Sequence, residues 1–255
     1  MTDAIENVSF FKYVTLIITP GSFAVRQKLK KKIHDQKCSL IDFLNQKKHE
    51  IYLLYKRGLC CLCQPQANRK EYGRGLLSKD WNLLFEKRNQ KCKLRNKTCC
   101  CNYAAISYRR EEDLDITLVV CLLINLFSLS DEEKKNLEDF REHRNFYAHA
   151  LNAHLKDTEY VDRFTEATSL IKAIAKSCED PQTHKWVCRE IRNIMDSSLY
   201  NVCHKEIVSW NNDEQITRET LEKVLIIIEN LLKHGIEVQI ITKFIHVLFH
   251  FLRQK

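Results

Sequence analysis

Residues 113–133 read DLDITLVVCLLINLFSLSDEE, and this stretch constrains the fold more than any other. Asp113 or Asp115 can start a helix there that is apolar nearly all round. A helix without a polar face must be covered on every side by other parts of the chain. Its apolar run, Ile116 to Phe127, is interrupted by Asn125 and is too short to span a bilayer, which takes about 20 residues. It is therefore expected to be a central core helix. Ser130-Asp131-Glu132-Glu133 then forms a capping box: the serine oxygen accepts the N3 amide and the glutamate reaches back. The next helix should run to about Ala150.

What surrounds this core is also expected to be helical. The 255 residues hold only five glycines and three prolines, whereas ordinary usage is about 7% and 5%. A sandwich or barrel needs turn residues at every corner, so an all-α fold is predicted. Ser22, after a break at Pro20-Gly21, can cap a helix from about Phe23 to His34. Ser39 can cap another through about Arg57, ended by Gly58. Asp157 or Thr158 can cap a helix whose Val161, Phe164, Leu170, Ile171 and Ile174 point inward, ending before Pro181. SCEDPQTH is the one plausible linker. The resulting division is a helical domain over 10–180, carrying a Cys-rich basic insertion over 59–110, and a C-terminal helical region over 184–255. In the insertion the periodicity fails, apart from one short amphipathic piece from Trp81 to Phe85.

The chain carries 41 basic and 33 acidic residues, a net charge of +8. Two clusters hold much of the excess. One runs from Arg26 to Lys37 (Arg26, Lys28, Lys30, Lys31, Lys32, Lys37) against the single acid Asp35. The other contains Lys87, Arg88, Lys91, Lys93, Arg95, Lys97, Arg109 and Arg110, with no acid between its ends. A polyanion such as RNA suits such surfaces; a solvated helix face is the plainer reading of the first.

Twelve cysteines accompany an N-terminus without a basic or A-x-A export signature. Reduced thiols or metal ligands are therefore expected, in a soluble cytoplasmic protein with no membrane partner. Cys60, Cys61 and Cys63 precede the Trp81 block, and Cys92 and Cys99 to Cys101 follow it. One structural zinc could staple these groups, with Cys61, Cys63, Cys92 and Cys100 as the candidate ligands. Free thiols in a loop are the competing reading. His246 and His250 are four apart on the last helix, where packing is the simpler account. Dinucleotide, P-loop, serine-hydrolase and HExxH signatures are missing from the sequence.

FREHRNFYAHAL, residues 140–151, carries the chemistry. Arg141, Asn145 and His149 share one helical stripe. Arg144 and His149 are five apart, about 140° on an ideal helix. A site using both needs the arginine's reach, a distorted turn, or a second copy of the chain. Arginine can hold a phosphate bidentately and histidine can move protons near neutral pH. The competing reading is a polar helix end at which His149 caps the last carbonyls. His143 could assist a phosphate, but a simple ion pair with Asp139, four residues earlier, is the competing reading.

The string RNFYAH fits the R-x(4–6)-H motif of the HEPN superfamily, with Asn145 as the polar residue after the arginine. The sequence around it, together with GLCCLCQ, WNLLFEK and TLIITPGSFAVRQKL in the same order, resembles one branch. That branch is named for the DAZ-interacting zinc-finger ubiquitin ligase. The resemblance covers about 10–178. It implies a HEPN-type helical bundle, often a homodimer in which two motifs face each other. In active members this makes a metal-independent endoribonuclease that leaves a 2′,3′-cyclic phosphate and needs no cofactor. Arg144, Asn145 and His149 are the residues carried over. The alternative is a non-catalytic dimerisation module that takes a protein partner through its C-terminal helices, with innate-immune signalling as its setting by association.

Overall fold

A computed structural model describes residues 12–56, 75–88, 100–149 and 157–196. Gly58, the C-terminal region beyond 196 and the His246/His250 pair lie outside them. The described residues are mostly helical, as an all-α chain requires. The helices are α1 (Ser22–Asp35), α2 (Leu40–Lys56), α3 (Ser78–Leu84), α4 (Ile116–Leu126), α5 (Asp131–His149), α6 (Asp157–Lys176) and α7 (Pro181–Asp196). One two-stranded antiparallel ribbon, β1 (Phe85–Lys87) with β2 (Tyr103–Ala105), interrupts them, Phe85 facing Ala105 and Lys87 facing Tyr103.

Three of the expected caps form, at Asp115, Ser39 and Ser130. Asp115 accepts the Thr117 amide at 2.9 Å and starts α4. Ser39 accepts the Asp42 amide at 3.1 Å. The Ser130–Glu133 box closes at 2.8 and 3.1 Å. The SCEDPQTH linker is a tight turn: Glu179 takes a left-handed φ of 56°, and Asp180 accepts the Gln182 and Thr183 amides at the start of α7.

Pro20-Gly21 is not a break. The helix continues through it as a π turn over Ile17–Gly21, and Ser22 is no cap: its buried hydroxyl donates to the Ile17 carbonyl at 3.3 Å. A wider turn tolerates a proline that lacks an amide donor.

Contacts divide the chain into two units. Among the described residues, one comprises 12–24, 139–149, 157–176 and 180–196. In it α7 packs on α6, and both pack on the π turn. Phe164, Ile171 and Ile174 are buried as expected, but Val161 is exposed and Leu170 only half-buried. The other unit comprises the described residues within Val25–Glu138, together with Ser177–Glu179. There α4 is the core helix, with Leu118, Val119, Val120, Leu122 and Leu123 nearly inaccessible, and α2 packs on it. The described part of the insertion is ordered against α2 rather than irregular. Trp81 stacks on Tyr55 and Phe85, with ring centroids 5.2 and 4.3 Å apart, and meets Tyr52 and Tyr103 edge-on.

Candidate functional site at the end of α5

The last turns of α5 carry Arg144, Asn145 and His149. The backbone is α-helical from Asp131 through His149, so no distorted turn brings position 149 round to position 144. Arg144 and Asn145 are half-buried, and the Arg144 Nε is enclosed by protein.

His143 is not an exposed helper with Asp139 as its partner. It is 5% exposed. Its Nδ1 lies 2.7 Å from the hydroxyl of Tyr13, a residue that is itself fully buried; that hydroxyl is also 3.3 Å from the His143 carbonyl. On the other side of the ring, Nε2 lies 3.5 Å from a Glu166 carboxylate oxygen on α6. Burial holds the imidazole below its ordinary pKa, against the pull of the Glu166 charge, and the Arg163 cation adds to the lowering. Burial likewise raises the Tyr13 hydroxyl, with Arg163 opposing. A neutral imidazole can accept the tyrosine proton at Nδ1 and turn Nε2–H toward Glu166. One turn on, the Arg163 guanidinium lies 3.6 Å from the centre of the Phe146 ring, while its Nε donates to Glu159 at 2.8 Å.

Tyr13, Phe146, Arg163 and Glu166 were not legible as site residues. Tyr13 and His143 are 130 positions apart, and no local pattern joins them.

The basic residues divide. Lys87, Arg88 and Arg110 are exposed. Arg109 is partly structural, since its Nε donates to the Leu83 carbonyl at 3.0 Å. Arg110 lies 4.0 Å from Asp113. Lys91, Lys93, Arg95 and Lys97 lie outside the described residues. The Arg26–Lys37 cluster is satisfied internally only in part, and Lys30 and Lys37 are exposed. Lys28 is buried and binds Glu133 and Ser177, Arg26 donates to the Leu114 carbonyl, and Lys31 pairs with Asp35.

Of the candidate zinc ligands, Cys61, Cys63 and Cys92 lie outside the described residues. Cys100 is fully buried in a 3₁₀ turn that packs on α2. Among the described residues, no three His, Cys, Asp or Glu side chains gather closely enough to hold a metal. No described helix is long and apolar enough to cross a membrane.

Comparison with family models, curated proteins and solved structures gives no match to this chain.

Proposed function

We propose that this chain is a HEPN-type RNA-acting protein whose working site is assembled from two copies, each presenting Arg144, Asn145 and His149. The observation that carries the reading is the unbroken helix through His149. Helical phase then separates positions 144 and 149 by about 140°. Arg144 is half-buried, with its Nε enclosed by protein. A second copy, as the HEPN resemblance implies, would bring an arginine and a histidine to one phosphate.

In that site Arg144 grips the scissile phosphate and offsets the charge that grows on it. The RNA 2′-hydroxyl attacks phosphorus as the bond to the 5′-oxygen breaks. His149 transfers protons between the attacking and leaving oxygens. The products are a 2′,3′-cyclic phosphate and a 5′-hydroxyl. Asn145 orients the phosphate. Lys87, Arg88, Lys91, Lys93, Arg95, Lys97, Arg109 and Arg110 add sequence-independent attraction that weakens with salt.

The test is cleavage of a labelled single-stranded RNA in excess EDTA by the wild-type chain and by His149→Ala, with self-association followed for both. Cleavage lost in a variant that still dimerises supports the reading. Wild-type chains that dimerise but do not cut overturn the nuclease. A non-catalytic dimerisation module would then be the better account. The inward bonding of Arg26 and Lys28 favours that second reading, because it withdraws two cations of the Arg26–Lys37 cluster from the polyanion-facing surface.

A further inference from the structure

We infer that Tyr13 and His143 are positioning residues that set the rotation of the motif-bearing end of α5; the inference rests on the reading above. His143 and Phe146 lie three apart on one face of that helix. His143 is held by Tyr13 from the N-terminal segment and faced by Glu166 of α6; Phe146 is covered by Arg163 of α6. Phe140, fully buried, continues the same stripe one turn earlier. At 100° per residue, Asn145 falls about 200° from His143, and position 149 about 240°. Arg141 and Asn145 thus face away from the clamped stripe, whereas Arg144, about 100° from His143, and position 149, about 60° from Phe146, flank it. A helix gripped along one stripe cannot roll, so the stripe of Arg141, Asn145 and His149 is offered at one fixed angle. A site shared by two copies depends on that angle twice.

The grip is specific. The Tyr13 hydroxyl touches both the ring and the carbonyl of His143, which fixes the height of α5 as well as its rotation. The charged groups around the imidazole are Glu166 and Arg163 from α6, and Asp139 and Glu142 from its own helix. Tyr13 is the neutral hydrogen-bonding partner among them.

Two variants test this with little risk to folding: Tyr13→Phe, which removes one oxygen, and His143→Gln, which keeps an acceptor near the hydroxyl. His143→Ala is the stronger perturbation. Small misplacement of reacting groups costs about ten- to a hundredfold in rate. Tyr13→Phe and His143→Ala should therefore lower kcat for RNA cleavage in EDTA by about tenfold or more with KM nearly unchanged, and His143→Gln should recover part of the loss. Independently of activity, hydrogen exchange of the amides at 143–147 should quicken in Tyr13→Phe while the amides of α4 keep their protection. Unchanged kcat together with unchanged exchange would overturn the inference and leave the nuclease reading standing. If the wild-type chain cuts no RNA, the nuclease reading fails, and the exchange measurement alone decides whether the clamp exists.

Discussion

Lys28 and Glu133, 105 positions apart, share one hydrogen-bonded ion pair at 2.5 Å, and the same carboxylate closes the cap of α5. Lys28 is 1% exposed and Glu133 22%. One oxygen of Glu133 takes the ammonium and the other takes the Ser130 amide. Glu133→Gln keeps a competent capping side chain but strands a buried cation. It should cost about 3 kcal/mol, the low end for a broken buried pair, because the glutamate end is partly solvated. Lys28→Met removes the charge with its stem replaced and should cost about 1–2 kcal/mol. Urea denaturation of the two variants measures the difference; equal losses would show that the pair does not carry the asymmetry.

Gly21 leaves no room for a side chain. A Cβ there would stand 2.6 and 2.9 Å from the Phe140 ring and 3.2 Å from Ile171. Phe140 is fully buried and cannot swing away. Gly21→Ala should destabilise by about 1–3 kcal/mol through overpacking. Phe140→Leu in the same chain should cost less than it does alone, which a double-mutant cycle reads directly.

Two acid windows are expected. The folded pKa of His143 lies below the ordinary 6.5, so its neutral form is the one the fold prefers. Its contribution is fully present above pH 6.5 and is lost as pH falls through the folded value. Burial raises the Glu133 carboxyl, but hydrogen bonds from Lys28 and Ser130 outweigh it and leave the group below the ordinary 4.5. That contribution holds above pH 4.5 and is lost further into acid. Thermal midpoints measured from pH 8 downward should fall in two stages. His143→Gln should flatten the first stage and leave the second in place.

Trp81 holds the ribbon to α2 through four aromatic neighbours. Trp81→Ala should cost about 3–5 kcal/mol, the range for truncating a buried large aromatic. Its Nε1 is buried with no hydrogen-bond partner among the described residues. Trp81→Phe therefore loses area but also removes an unsatisfied donor, and should cost less than half as much. Denaturant midpoints of the two variants, with near-ultraviolet circular dichroism to follow the ring cluster, make the comparison.

The helices and their caps were legible wherever the signal is local. Asp115 and Thr117, Ser39 and Asp42, and Ser130 and Glu133 are two or three residues apart, so short-range chemistry alone places those helix starts. The all-round apolar character of α4 likewise dictates a buried helix. The π turn at Pro20-Gly21 was not legible, because it depends on Phe140 and Ile171 closing on a glycine from elsewhere in the chain. The ribbon was missed because strands of three residues are too short to show alternation, and the Trp81 cluster that holds them is tertiary.

The same division runs through the candidate site. The order of residues on α5 follows from the sequence and the helical period, which put Arg141, Asn145 and His149 on one stripe and Arg144 away from position 149. Tertiary structure alone decided which face of that helix is held. Tyr13, Arg163 and Glu166 reach His143 and Phe146 from other segments, and such partners leave no trace in a local pattern. Tertiary structure also drew Arg26 and Lys28 out of the basic run at Arg26–Lys37 into internal bonds, leaving Lys30 and Lys37 at the surface. A lysine's place on a helix is fixed by its neighbours in sequence, but whether its charge meets water or a carboxylate depends on where distant residues such as Glu133 come to rest.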